Sequence, residues 1–291
     1  MASSLKNSIQ QPIYTEAVIQ QGLQTPKGRR IMWIVVEDQE DKRTYEKFAA
    51  PDLTNVKTSE DQEGRKGCDN VEIIVTDIRS RGYSNIIGIR DADYLRYRDV
   101  QENKEGVFTT DERDLEMMLL EAPSVIEALR KIIIGFEPDM KFCKSICKEL
   151  GYARVINDVL DLGCNFQRKV KLSKIWDHTT HTLLPDWKER YEAMVIANVK
   201  DGIHITKEDI NTFISAKALS TEPEKYICRG HDVMRLFHYK RKNAQDCDAK
   251  CVVAKMIDAY SFEDFSSTDL YKETDSFSKN IGFLLWNENG V

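Results

Sequence analysis

"IMWIVVEDQEDKRTYEKFAA", residues 31–50, changes its pattern halfway along, and the change sets the fold class. Residues 31 to 36 are a continuous β-prone apolar run, the pattern of a strand covered on both faces, as strands of parallel α/β sheets are. Beyond it the pattern is helical. Asp38, Glu40 and Asp41 place acid in a first turn, and Tyr45, Phe48 and Ala49 form an inward stripe that stops before Pro51. Glu37 therefore stands at the junction of a strand and a helix.

Further along, "VEIIVTD" (71–77) reads as a second strand, residues 86 to 90 as a third, and "GVFTTD" (106–111) as a fourth, followed by the helix "ERDLEMMLLEA". The polar tract 52–70 reads as an exposed loop. Strands alternating with helices predict an α/β fold with a mostly parallel sheet flanked by helices, and ligands of such sheets bind outside the carboxyl ends of the strands. In "GIRDADYL" (88–95) the third strand ends in Asp91 and Asp93. Side chains two apart on an extended segment share a face, so the two carboxylates are expected to project together.

From Pro123 to about residue 220 the periodicity is helical, with Gly151 and Gly202 placed as helix stops and Thr206 with Asp209 as a capping pattern. "YIC" (226–228) is strand-like, Arg229–Gly230 a turn and "HDVMRLFHYK" a helix, which is expected to bring the chain back to the sheet. The organisation expected is an N-terminal arm (1–30), an α/β core (31–122), a helical insertion or second subdomain (123–222), and a return to the core with a C-terminal helical region (223–291).

Composition narrows the class. The 291 residues are 41% hydrophobic and 31% charged, the balance of a globular protein with a sizeable core. No apolar run approaches the roughly 20 residues of a membrane helix, and the first residues lack the apolar segment of a signal peptide. A cytoplasmic location without membrane contact is the expectation. Seven cysteines, an odd number without a secreted spacing, are expected as thiols; Cys143/Cys147 and Cys247/Cys251 lie four apart and read as packed thiols rather than zinc ligands. His178 and His181 in "DHTTH" read as loop residues. With a net charge of −6, any nucleic-acid partner has to be held by local basic patches, "RKVKLSK" (168–174) and "YKRK" (239–242), or through metal ions.

Clustered carboxylates repel one another and are costly to bury without a cation. A glutamate with an Asp-x-Asp therefore suggests a hard divalent ion, Mg²⁺ or Mn²⁺, and metal-assisted chemistry at phosphorus. An Asp-x-Asp alone is also a common turn former or cap. No GxxxxGK[ST] phosphate loop is present, which argues against ATP hydrolysis by this chain.

In order and spacing, "VVEDQEDKRTYEKF", "IIGIRDADY", "TTDERDLEMMLL" and "CRGHDVMRL" resemble the TOPRIM-like family that includes the AriB-type nuclease effectors of the PARIS anti-phage system, distant relatives of the OLD-family nucleases. The resemblance runs from about residue 31 to about 245, the helical middle being similar only in character. It implies a TOPRIM-like sheet, with Glu37, Asp91 and Asp93 as Mg²⁺ ligands, Glu37 alternatively a general base. Asp114 and Glu116 are implied as further ligands or anchors, and His231, in the motif of Gly230, His231 and Asp232, as a proton donor or phosphate contact. Asp38 stands where many relatives have glycine. Asp232 is read as a cap of its helix, and Arg90, Arg96 or Arg98 as cations near the acids.

The resemblance further implies a Mg²⁺-dependent nuclease, a toxic effector of antiviral defence. Its target would be nucleic acid, RNA rather than DNA, with transfer RNA the first candidate. An ABC-type partner ATPase would hold it inactive, and a homodimer is the expected active form. The alternative is a non-catalytic TOPRIM-like module that binds a phosphorylated ligand or a partner protein and signals by association.

Overall fold

The structure, a computed structural model, describes residues 14–59, 67–99, 104–166, 168–241 and 249–287. Its elements run α1 (Tyr14–Leu23), β1 (Met32–Val36), α2 (Gln39–Glu46), β2 (Thr54–Thr58), α3 (Cys68–Ser80), β3 (Ile86–Arg90) and β4 (Val107–Thr109). The helices α4 (Leu115–Glu121), α5 (Pro123–Ile132) and α6 (Phe136–Val159) follow, then a hairpin of β5 (Trp176–Asp177) and β6 (Thr182–Leu183). The chain goes on through α7 (Trp187–Ile196), α8 (Lys207–Ala216), α9 (Glu224–Ile227), α10 (Gly230–Lys240), α11 (Ala249–Ala259), α12 (Phe262–Ser267) and α13 (Asp269–Asn280). None of these helices is long and apolar enough to cross a membrane.

Two compact units result. Unit 1 takes the described residues up to Asp91, those from 104 to Asp111 and those from Phe262 onward; unit 2 takes Ala92 to Asp99 and Glu112 to Ser261. The division falls after the third strand, not after residue 122, and the return to the sheet comes at Phe262 rather than at 223. The reason is that α10 packs on α6, α4 and α11 inside unit 2, so the return is left to α12 and α13.

Unit 1 is an α/β layer structure built on an all-parallel sheet ordered β2-β1-β3-β4. Every residue of β1 is buried, as a central strand covered on both faces requires. Trp33 and Val35 face a cluster made by Ile19 and Leu23 of α1 with Val71, Ile74, Val75 and Ile78 of α3. An aromatic group occupies the other layer: Phe48 stacks on Phe265 at 4.9 Å, and Trp286 meets the same ring edge-on, also at 4.9 Å. Ala49 bridges to Trp286, and the Ala50 N–H donates to the Leu285 carbonyl at 2.9 Å.

Several expectations are corrected. "VEIIVTD" lies within α3, not in a strand. Its buried residues, Val71, Ile74, Val75 and Ile78, fall at i, i+3, i+4 and i+7, while Ile73 is exposed; a β-branched composition hid a helical period. The second strand is Thr54–Thr58, inside the tract read as loop, because an edge strand with half-exposed residues carries a polar sequence. The arm 1–30 contains α1, whose Ile19 and Leu23 are fully buried; residues 1–13 lie outside the described residues, as do Cys247 and Lys242.

Unit 2 is helical around α6. That helix runs through Gly151 instead of stopping there: a Cβ on Gly151 would stand 2.5 Å from Ile227 Cγ2 and 2.6 Å from its carbonyl oxygen, so the glycine serves close approach to α9. α7 ends at Ile196, well before Gly202. "YIC" belongs to α9 and its C-terminus rather than to a strand. Thr206 and Asp209 do form the capping box of α8. Cys143 and Cys147 are both buried on one face of α6.

Candidate functional site

In unit 1 the chain leaves β1 toward β2 on one side and returns through α3 to β3 on the other. The strand order thus reverses between β1 and β3, the topological switch point at which open parallel sheets bind ligands. Glu37 directly follows β1 and Asp91 directly follows β3, both half-buried. Glu37 Oε1 accepts the Asp91 N–H at 3.0 Å, linking the two strand ends. The third strand end is tied in as well: Ser59, fully buried after β2, donates through Oγ to the Glu37 carbonyl at 3.3 Å, and its own N–H binds the Val36 carbonyl at 2.8 Å.

Asp38 has a local structural role. It is the N-cap of α2: its carboxylate accepts the N–H groups of Glu40 and Asp41 at 2.8 and 3.3 Å, while Asp41 accepts the Asp38 N–H at 3.0 Å. This capping box holds the turn in which Glu37 sits. Arg90, buried at the end of β3, pairs with Glu72 of α3, which also takes Lys104. Burial raises the Glu72 carboxyl, but Lys104 and Arg90 outweigh it and hold the group below the usual carboxylate range.

Asp93 is placed differently from the extended reading. β3 ends at Arg90, and Asp93 has a left-handed backbone (φ 45°), so strand alternation does not carry through to it. It lies in unit 2, where its N–H donates to the Arg113 carbonyl at 2.8 Å and its Oδ1 accepts from Arg113 Nη2 at 2.8 Å.

Arg113 organises the acids of unit 2. The guanidinium also pairs with Asp114 and lies 4.7 Å from the Tyr94 ring centre. Asp114 is the N-cap of α4: Oδ1 accepts the Met117 N–H at 3.0 Å and Oδ2 the Gly230 N–H at 2.9 Å. Burial pushes its carboxyl up, with Arg113 offsetting part of the rise. Glu116, two residues on, pairs with His231 at 2.7 Å between Oε1 and Nδ1. Burial would raise Glu116, yet the imidazole hydrogen bond and charge prevail and lower it, while the same contact raises His231. Gly230 lets the first turn of α10 come this close, since a Cβ there would stand 2.4 Å from Glu116 Cβ.

Asp232 does not cap α10, whose N-cap is Arg229. It is buried and pairs with Arg154 of α6 at 2.6 Å. Asp177, in the "DHTTH" hairpin, accepts the N–H groups of Thr179 and Thr180. In the basic patch at 239–242, Arg241 pairs with Asp139 at 2.6 Å.

The structure therefore joins Glu37 to Asp91 in unit 1 and gives Asp93, Asp114 and Glu116 basic or main-chain partners in unit 2. Among the described residues no group of three or more His, Cys, Asp or Glu side chains is arranged to hold a metal ion. Two carboxylates at one sheet edge nonetheless suit a hard cation such as Mg²⁺, which takes one or two protein carboxylates and fills its other positions with water or substrate phosphate. Arg113, Arg154, Glu72 and Ser59 had escaped the sequence reading; the only signal was the run "DERD", in which Arg113 sits between acids. No protein-family model matches the chain, and no curated protein is significantly similar to it.

Proposed function

We propose that the protein is a Mg²⁺-dependent nuclease whose catalytic edge is the carboxyl end of the unit 1 sheet. The observation that carries this reading is the placement of Glu37 and Asp91 on either side of the β1/β3 switch point, hydrogen-bonded through the Asp91 main chain. Glu37 and Asp91 would hold the ion, which when bound polarises a phosphodiester oxygen and lowers the pKa of water. The chain's own part is to fix these two groups. The Asp38 capping box sets the turn at Glu37 and Ser59 anchors its carbonyl, while the Asp91 N–H orients the Glu37 carboxylate. On the resemblance, the target is RNA, transfer RNA first, and the chain is an effector released from a partner ATPase in antiviral defence; with one such site per chain, the active form is a homodimer.

A second reading, a non-catalytic module for a phosphorylated ligand or partner protein, draws support from Arg113: with its guanidinium on Asp93 and Asp114, the unit 2 acids serve structure. The two are separated by incubating the chain with total transfer RNA, single-stranded RNA and plasmid DNA in Mg²⁺, in Mn²⁺ and in EDTA. Metal-dependent cutting at least a hundredfold weaker in Glu37→Ala, the usual scale for loss of a positioned acid-base group, upholds the nuclease. Cutting that persists unchanged in a folded Glu37→Ala rejects this edge as the site.

A further inference from the structure

A pocket lies wholly within unit 2 among α6, α7 and α8. Its volume is about 410 Å³, inside the ~300–1,000 Å³ range of small-ligand sites. Flat and aliphatic groups form the walls: the half-buried Trp187 and Ile214 and the buried Tyr152 and Ile210. Four charged side chains line it, and they cancel. Lys188 pairs with Glu149 at 2.9 Å and Lys207 with Glu192 at 2.8 Å, so no cation is left uncompensated for a phosphate group.

Besides the Ser220 hydroxyl, two polar groups remain for a ligand. The Tyr152 hydroxyl, on a residue only 8% exposed, and the Asn211 amide make no hydrogen bond to the described residues. Tyr191, beside them, has already given its hydroxyl to the Leu150 carbonyl at 2.9 Å. Burial, with Glu149 nearby, pushes the Tyr152 phenol up to about 12, so it stays a donor at neutral pH. An asparagine amide presents one donor and one acceptor side by side, the match for the edge of a nucleobase, and an indole face is a stacking platform for its ring.

We infer that this pocket binds a nucleobase, stacked against Trp187 with its edge on Asn211 and Tyr152. The inference rests on the nuclease reading for the choice of nucleic acid as substrate, and it adds which part of the nucleotide unit 2 recognises. A flat ring with no net charge satisfies all three properties of the site: aromatic walls, balanced rim and a paired donor and acceptor.

The test is calorimetric titration of the full chain with AMP, GMP, CMP and UMP, with ribose 5-phosphate, and with a short single-stranded RNA in intact and abasic forms. Expected are saturable binding of mononucleotides, none of ribose 5-phosphate, and affinity roughly tenfold weaker in Trp187→Ala, within the range for base stacking on an aromatic ring. Asn211→Ala, at an exposed position that does not endanger folding, is expected to change the ranking of the four bases about fivefold. Preference for the intact over the abasic strand identifies a base within a strand as the ligand; mononucleotide binding without that preference identifies a free nucleotide. Ribose 5-phosphate binding as well as AMP, or a folded Trp187→Ala and Asn211→Ala that bind like the parent chain, overturns the inference. Cutting is scored separately through Glu37→Ala, so a failed nuclease reading leaves the binding result interpretable on its own.

Discussion

The acids of unit 1 and the acids of unit 2 have similar sequence surroundings but opposite architecture. At the sheet edge Glu37 and Asp91 are joined through a main-chain N–H. In unit 2 the carboxylates are matched one by one with basic side chains: Asp93 and Asp114 with Arg113, Glu116 with His231, Asp232 with Arg154. A carboxylate paired with a buried guanidinium has its charge answered and its geometry fixed, which favours holding a fold; Glu37 and Asp91 stand instead at the ends of neighbouring strands, where open parallel sheets bind their ligands. The chemistry of an acidic motif is thus decided by what folds against it.

The sharpest way to break the contrast is Arg113→Met. It leaves Asp93 and the buried Asp114 without their guanidinium and removes the ring contact with Tyr94. A loss of about 3–5 kcal/mol at pH 7 is expected from urea unfolding, the usual cost of orphaning a buried charge, with a smaller loss at acid pH, where the Asp114 carboxyl, raised by burial, takes up a proton. A loss under 1 kcal/mol at both pH values would mean that the unit 2 acids are not structural.

Unit 1 contains its own acid pair away from the edge. Burial, reinforced by Asp77, lifts the Glu16 carboxyl to about 7. A folded-state pKa above the unfolded 4.5 contributes stability that is complete below 4.5 and is lost as pH rises through 7. Glu16→Gln, neutral throughout, is expected to gain roughly 1–2 kcal/mol on the parent between pH 5 and pH 8. Parallel stability curves for the two chains would remove the pair from the account.

Removing the cap that steadies the turn at Glu37, Asp38→Ala, is expected to cost about 1 kcal/mol, with cutting reduced by more than the stability loss explains. Cutting that follows stability alone would detach the capping box from the site. The smallest effect belongs to the half-exposed pair of Glu116 and His231. The raised His231 contributes stability that is lost as pH climbs through its folded pKa, and the lowered Glu116 contributes stability lost as pH falls through its own, so the pair counts most between the two. His231→Gln should cost roughly 0.5 kcal/mol near pH 6 and less at pH 9; a cost that grows with pH would contradict the ion pair.

Much of the sheet was legible because β1 and β3 are buried, mostly apolar runs; β4 also falls within the stretch read as a strand. α3 and β2 were not, for complementary reasons. The helix has the β-branched residues of a strand, and the edge strand has the polar residues of a loop, so composition pointed one way and burial the other. Glu37 and Asp91 could be found because their position depends on strand ends that the local sequence marks. Arg113 on Asp93 and Arg154 on Asp232 join residues 20 and 78 positions apart, and no local pattern records such pairings.

The bridge between Ala49 and Trp286 sets a timetable for synthesis. Unit 1 closes its aromatic layer with residues near position 286, although its first strand and the Glu37 turn are complete before residue 50. At the ~5–20 residues per second of translation, the interval between the two is on the order of 10–50 s. Throughout that time the nascent sheet carries Tyr45 and Phe48 without Phe265 and Trp286 to cover them, and whatever shields those rings on the ribosome governs how much of the chain reaches its folded state.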